Sequence, residues 1–209
     1  CSNTGDVVVE GNLSDSSFSM DYAGTSYAGG LAGLHDGSSK IEGCWNSGSV
    51  HCYSNWSSSI AGGLCGSVSA IATVENAFNT GSVSAYQEGD SSYSSSAGGI
   101  VGHNGGNDNP DLLHCYSIGR VYANGSWGTK IGSSYFSSNS DCYALGDGRL
   151  NVRDGGYIQS SNISYVSQTP EEMEQQSTYT AFDFDTVWQM GDGASYPYPT
   201  LRDNPYIAP

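Results

Sequence analysis

The chain has 209 residues, enough to bury a core of its own as one large domain or one repeat array. Its 21 acidic and 6 basic residues give a formal net charge of -15 and a pI near 4.2, too few cations to neutralise phosphates, which excludes nucleic acid and acidic membrane surfaces as partners. Charged residues at only 13% with 11% aromatics argue against disorder, and no apolar run approaches the roughly 20 residues of a membrane span.

In chain order the first segment, Cys1-Ser2-Asn3-Thr4-Gly5-Asp6-Val7, has the form of the second half of a unit that recurs downstream. It lacks the basic and apolar regions of a signal peptide. A glycine block then appears three times, as Ala28-Gly29-Gly30-Leu31-Ala32-Gly33, Ala61-Gly62-Gly63-Leu64-Cys65-Gly66 and Ala97-Gly98-Gly99-Ile100-Val101-Gly102. A second block follows each copy: Ile41 to Val50, Val74 to Val83 and Leu112 to Val121. Degenerate remnants, Ile131-Gly132 and Cys142-Tyr143-Ala144-Leu145-Gly146, end the series.

Three short strand-like runs per unit, without helical periodicity, predict one turn of a parallel β-solenoid for each copy. The fold class is therefore all-β: a right-handed parallel β-helix of four to five rungs over residues 1–150, the hand following the general preference of parallel crossovers. The paired glycines read as corners where a side chain would strike the next rung or where positive φ is needed. They lack the lysine spacing of a phosphate loop.

Alternation within the second block sorts the side chains by face. Glu42 and Glu75 should meet water, which sends the column Trp45, Phe78, Tyr116 and Tyr143 into the core; a bulge near Gly43 would reverse the assignment. On an outer face the same stacked rings would form a platform for sugars. The cysteines Cys1, Cys44, Cys115 and Cys142 share one repeat position, occupied by Ala77 in the middle unit. Stacking at about 4.8 Å permits bridges Cys1–Cys44 and Cys115–Cys142, leaving Cys52 and Cys65 for each other, but free thiols in a semi-buried ladder fit the same pattern.

Beyond residue 150 the pattern changes, and residues 151–209 are expected to close the array. Thr169 is a candidate N-cap, Pro170 suits the first helical position, and Glu171 and Glu172 favour a first turn, so a short helix is predicted over 170–176. Phe182, Phe184, Val187 and Trp188 would then cover the last rung, with Tyr196-Pro197-Tyr198-Pro199 extended. At the other end Cys1 fits the repeat consensus and also the lipidated cysteine of a mature bacterial lipoprotein.

No residue set specifies catalysis, a cofactor or a metal. His35 and His103 follow glycine blocks and read as turn residues, and the serines show no nucleophile elbow. Asp108 with Asp111, and Asp183 with Asp185, could offer oxygens to calcium but lack the EF-hand spacing. Asn12, Asn55, Asn124 and Asn162 each begin an Asn-x-Ser sequon, chance matches in a bacterial chain and loop markers in a eukaryotic one.

The Gly-Gly-Leu-x-Gly block followed by Ile-x-x-Cys-aromatic-Asn-x-Gly-x-Val resembles the GLUG repeat of bacterial surface and secreted proteins, including the non-catalytic regions of immunoglobulin A-cleaving metallopeptidases. The closing segment, from Thr169-Pro170-Glu171-Glu172-Met173 to Tyr196-Pro197-Tyr198-Pro199-Thr200-Leu201, is similar to one that often ends such arrays. The resemblance implies the solenoid fold and an extracellular or cell-surface setting. The peptidases' His-Glu-x-x-His motif is absent from the sequence. The expected function is a non-enzymatic adhesion or ligand-binding module, its partner a host glycan or surface protein met by the loops Tyr53–Ser59 and Tyr86–Ser96. The alternatives are end-to-end self-association into a stalk and, more remotely, a glycan-cleaving β-helix enzyme.

Overall fold

In a computed structural model the chain winds into a parallel β-solenoid. The structure describes residues 1–11, 24–55, 57–68, 71–88, 94–104, 110–124, 127–129, 131–132, 138–145, 150–152 and 165–208. The first coil comprises β1 (Ser2–Asn3), β2 (Val7–Gly11), β3 (Ser26–Gly29) and β4 (Ala32–His35). The second repeats it as β5 (Lys40–Asn46), β6 (Val50–Ser54), β7 (Ser59–Gly62) and β8 (Cys65–Val68). The third is β9 (Thr73–Asn79), β10 (Val83–Gln87), β11 (Ser95–Gly98) and β12 (Val101–Asn104). The fourth has β13 (Asp111–Ser117), β14 (Val121–Ala123) and β15 (Trp127–Thr129), with Gly132 bridging to Val101 on the fourth side.

Each coil thus carries four strands rather than three, because the paired glycines split one apparent run at a corner. Strands in equivalent positions pair in parallel, giving sheet A (β1, β5, β9, β13), sheet B (β2, β6, β10, β14), sheet C (β3, β7, β11, β15) and sheet D (β4, β8, β12). The register is that of the repeat: Ile41 pairs with Val74 and Val74 with Leu112 in sheet A, and Val7, Val50, Val83 and Val121 form one column in sheet B.

The ladder also runs past the boundary expected at residue 150. β16 (Ser138–Ser140) and β17 (Cys142–Leu145) add to sheet A, β18 (Leu150–Val152) pairs with β14, and β19 (Tyr165–Gln168) pairs with β17. These strands have lost the paired glycines that mark the earlier units, so the repeat signal fades before the solenoid does.

Close approach, not positive φ, explains the corner glycines. A Cβ on Gly30 would sit 2.4 Å from the Gly63 carbonyl oxygen, and one on Gly63 would sit 2.1 Å from that of Gly99. Positive φ occurs instead in the middle of sheet A, at Gly43 (61°), Asn76 (50°), His114 (50°) and Asp141 (56°). These residues occupy one register position, so the four rungs of sheet A that hold them bulge at the same place.

The bulge overturns the expected orientation of the rings. Ile41, Val74 and Leu112 point inward before it, and Ala77, Cys115 and Cys142 point inward after it, packing with Leu64, Ile100 and Ile131; Cys44, at the same register position as Ala77, is buried too. Trp45, Phe78, Tyr116 and Tyr143 therefore face out of the coil, yet they are at most 5% exposed because the C-terminal segment lies over them.

That segment begins with α1 (Pro170–Met173), shorter than the predicted helix but started as expected. Thr169 Oγ1 accepts from the Glu172 amide, and the Glu172 carboxylate accepts from the Thr169 amide. It continues through β20 (Trp188–Met190) and β21 (Pro199–Leu201), an antiparallel pair. Instead of closing the last coil it runs the length of sheet A as a strap. Tyr179 and Phe182 pack on Tyr143 at 4.9 and 5.6 Å, Trp188 Nε1 donates to Asn76 Oδ1 at 3.2 Å, and Asn204 Nδ2 donates to the Cys1 carbonyl at 2.9 Å.

Candidate functional site: the outer face of sheet B

With the ring column of sheet A covered by the strap, sheet B presents its outer face to solvent. Its strands alternate cleanly: in β6 Val50, Cys52 and Ser54 are buried while His51 is exposed and Tyr53 half-exposed. In β10 Val83 and Ala85 are buried while Tyr86 is 39% exposed. In β14 Tyr122 stands out between buried Val121 and Ala123. Parallel pairing turns this alternation into two outward rows, Val8–His51–Ser84–Tyr122 and Glu10–Tyr53–Tyr86.

Neighbours within each row interact. Tyr53 and Tyr86 stack with ring centroids 5.7 Å apart and planes within 9°. His51 Nδ1 and Ser84 Oγ lie 2.5 Å apart. Tyr53 donates its hydroxyl to Glu88 Oε2 at 2.6 Å, and this hydrogen bond to the carboxylate holds the phenol above its ordinary pKa. In the next coil Asn124 folds inward: its Oδ1 accepts from the Gln87 amide and Ser95 Oγ, and its Nδ2 donates to the Gln87 carbonyl. The sequon amide of Asn124 is thus engaged with Gln87 and Ser95, and Tyr86 is 39% exposed.

The residues singled out in the sequence fall elsewhere. The ring column is a stack, Trp45 to Phe78 at 6.0 Å and Phe78 to Tyr116 at 5.0 Å, but it serves as the strap's docking surface and offers no platform to sugars. Tyr143 belongs to it by register and packs on Tyr179 and Phe182. Tyr116 hydroxyl contacts the Tyr196 hydroxyl and the Pro199 carbonyl, and burial pushes both phenols up in pKa.

All six cysteines are free thiols. Cys1 is exposed and its ammonium donates to Cys44 Sγ at 3.2 Å, while the other five are buried. Cys52 and Cys65 sit in different clusters, Cys52 between sheets B and C and Cys65 with the sheet A side chains, so they do not face each other. Desolvation raises the Cys52 thiol to about 11 and the Cys65 thiol to about 12, and holds Cys115 well above its ordinary value, so these groups stay protonated and unreactive at neutral pH.

His35 ends strand β4 and His103 lies within strand β12, one residue before its end, so neither occupies a turn. Asp183 turns its carboxylate onto the next turn of chain, accepting from the Thr186 hydroxyl at 2.5 Å and from the amides of Thr186 and Asp185 at 2.9 Å each, and these hydrogen bonds, the hydroxyl's first among them, lower its pKa. Asp108, Asn12 and Asn162 lie outside the described residues, as do Trp56 and residues 89–93 of the two proposed contact loops. Among the described residues no three His, Cys, Asp or Glu side chains converge as metal ligands, and no helix is long and apolar enough to cross a membrane.

Sequence reasoning placed Tyr53 and Tyr86 at the start of contact loops and missed that they share a strand position. The signal was present: Val50-His51-Cys52-Tyr53 and Val83-Ser84-Ala85-Tyr86 align at the repeat spacing. Likewise Asn3, Asn46 and Asn79 fall at one offset and form a ladder: Asn3 Nδ2 donates to Asn46 Oδ1 and Asn46 Nδ2 to Asn79 Oδ1, both at 2.8 Å.

No protein-family model matches the chain, and no curated protein matches it. Among solved structures it is similar to the crystal structure of a candidate immunoglobulin A1 protease from Bacteroides ovatus, with 21% sequence identity and a TM-score of 0.66. The match covers 97% of this chain and 56% of that one, so the chain spans little more than half the length of its neighbour. At that identity the likeness establishes a shared fold.

Proposed function

We propose that this chain is a non-enzymatic binding module of a bacterial extracellular or cell-surface protein, of GLUG-repeat type, and that it contacts its partner through the outer face of sheet B. The observation that carries this reading is the stacked Tyr53–Tyr86 pair left in solvent, while the ring column of sheet A is covered by the chain's own strap. Tyrosine supplies large, amphipathic contact area at low entropic cost and is enriched at interfaces. A solenoid holds such side chains on a rigid backbone ladder, so little ordering is needed on binding.

The activity of the Bacteroides ovatus neighbour is that protein's own, and it is not transferred to this chain. The test is retention of the fluorescently labelled chain on bacterial and host epithelial cells. The reading expects saturable binding that falls about tenfold or more in the Tyr53→Ala/Tyr86→Ala double variant, with an unchanged melting midpoint. Equal retention of both proteins would overturn it.

A further inference from the structure

The exposed face of sheet B also indicates the chemistry of what it holds; this step rests on the contact-face reading above. We infer that the ligand is an uncharged glycan, with a sugar ring packed on the side of Tyr86 away from Tyr53 and its hydroxyls bonded by Ser84 and Glu88.

One side of the Tyr86 ring is taken by Tyr53, 5.7 Å away and nearly parallel, so the pair is braced and the opposite side is where a ligand ring would pack. That side looks toward the next coil, where Asn124 occupies the register position. Three hydrogen bonds, 2.6 to 2.9 Å long, tie the Asn124 side chain to the Gln87 backbone and Ser95, away from the ring. Tyr122, 37% exposed, stands diagonally across the strand in the adjacent row. An aromatic floor of this kind suits a flat ligand face made of C–H groups, which a pyranose presents.

The polar groups beside this floor are arranged for hydroxyls. Ser84 Oγ and His51 are held together, and Glu88 is fixed by Tyr53 through one carboxylate oxygen, leaving its second oxygen as an acceptor. A sugar hydroxyl can donate to a carboxylate in a charge-assisted bond and accept from a serine hydroxyl.

Charge then selects among glycans. The two rows hold Glu10 and no lysine or arginine, Glu88 adjoins them, and the whole chain carries -15. Sialylated, sulfated or uronic-acid chains would be repelled, whereas a neutral chain meets no such cost.

The experiment uses an array of neutral, sialylated and sulfated oligosaccharides, together with the cells of the binding test, untreated or oxidised with periodate to cleave vicinal diols. The expected result is retention on neutral glycans or periodate-sensitive retention on cells. Either should weaken about tenfold in Tyr86→Ala and persist in Tyr86→Phe, which keeps the ring. Cell binding that depends on Tyr86 but survives periodate removes the glycan and leaves the contact face standing. Binding indifferent to Tyr86 removes both, and retention only by anionic glycans overturns the charge argument.

Discussion

Two glycines in this chain do opposite jobs, and their substitutions separate the physical causes. At Gly63 a Cβ would lie 2.1 Å from the backbone oxygen of Gly99 in the next coil, and neither backbone can move without parting the ladder. At Gly43 a Cβ would meet nothing within 4 Å, but φ is 61°, where an L-residue pays for left-handed backbone. Gly63→Ala should therefore cost roughly 3 kcal/mol or more, at or beyond the upper end for overpacking, and Gly43→Ala about 1–2 kcal/mol. Asparagine stands at the equivalent position, Asn76, so Gly43→Asn should be milder than Gly43→Ala. Urea unfolding midpoints check the order; a Gly63→Ala protein as stable as Gly43→Ala would show that the coils do not approach closely at that corner.

The strap is the element that sequence periodicity could least anticipate. Its capping box was legible, because Thr169, Pro170 and Glu172 act within one turn. Its path was not, because Trp188 meets Asn76 and Asn204 meets Cys1 across most of the chain length with no local pattern to announce it. The bulge was hidden for a related reason. Gly43, Asn76, His114 and Asp141 look unrelated in sequence, and only the register reveals a column of residue types that tolerate left-handed backbone. Without the bulge, plain alternation sent the rings inward; with it, the rings became the strap's seat. Trp188 is fully buried, 4.6 Å from the Phe182 ring and bonded to Asn76. Trp188→Ala should cost roughly 3–5 kcal/mol, lower the melting midpoint and expose the ring column to a hydrophobic dye. A change below about 1 kcal/mol, within the range of ordinary surface substitutions, would mean the strap is not docked there.

For the molecule as a whole, stacking in register is what converts a repeat into two different surfaces. The rings of sheet A that leave the coil are sealed beneath the strap, while Lys40 and Glu42 of sheet A and the outward side chains of sheet B stay in water. The binding proposal depends on that sorting, since a one-residue slip in β6 or β10 would bury Tyr53 and Tyr86 and turn Cys52 and Ala85 outward. The cysteines report it directly, because Cys52 marks the interior of sheet B, Cys65 that of sheet D, and Cys44, Cys115 and Cys142 that of sheet A. The decisive measurement is titration of the six thiols of the reduced native chain with an aromatic disulfide reagent, read by intact mass. One rapid adduct, on Cys1, and five that appear only in denaturant are predicted. Rapid labelling of Cys52 in the folded protein would place Tyr53 inside the coil and contradict the account.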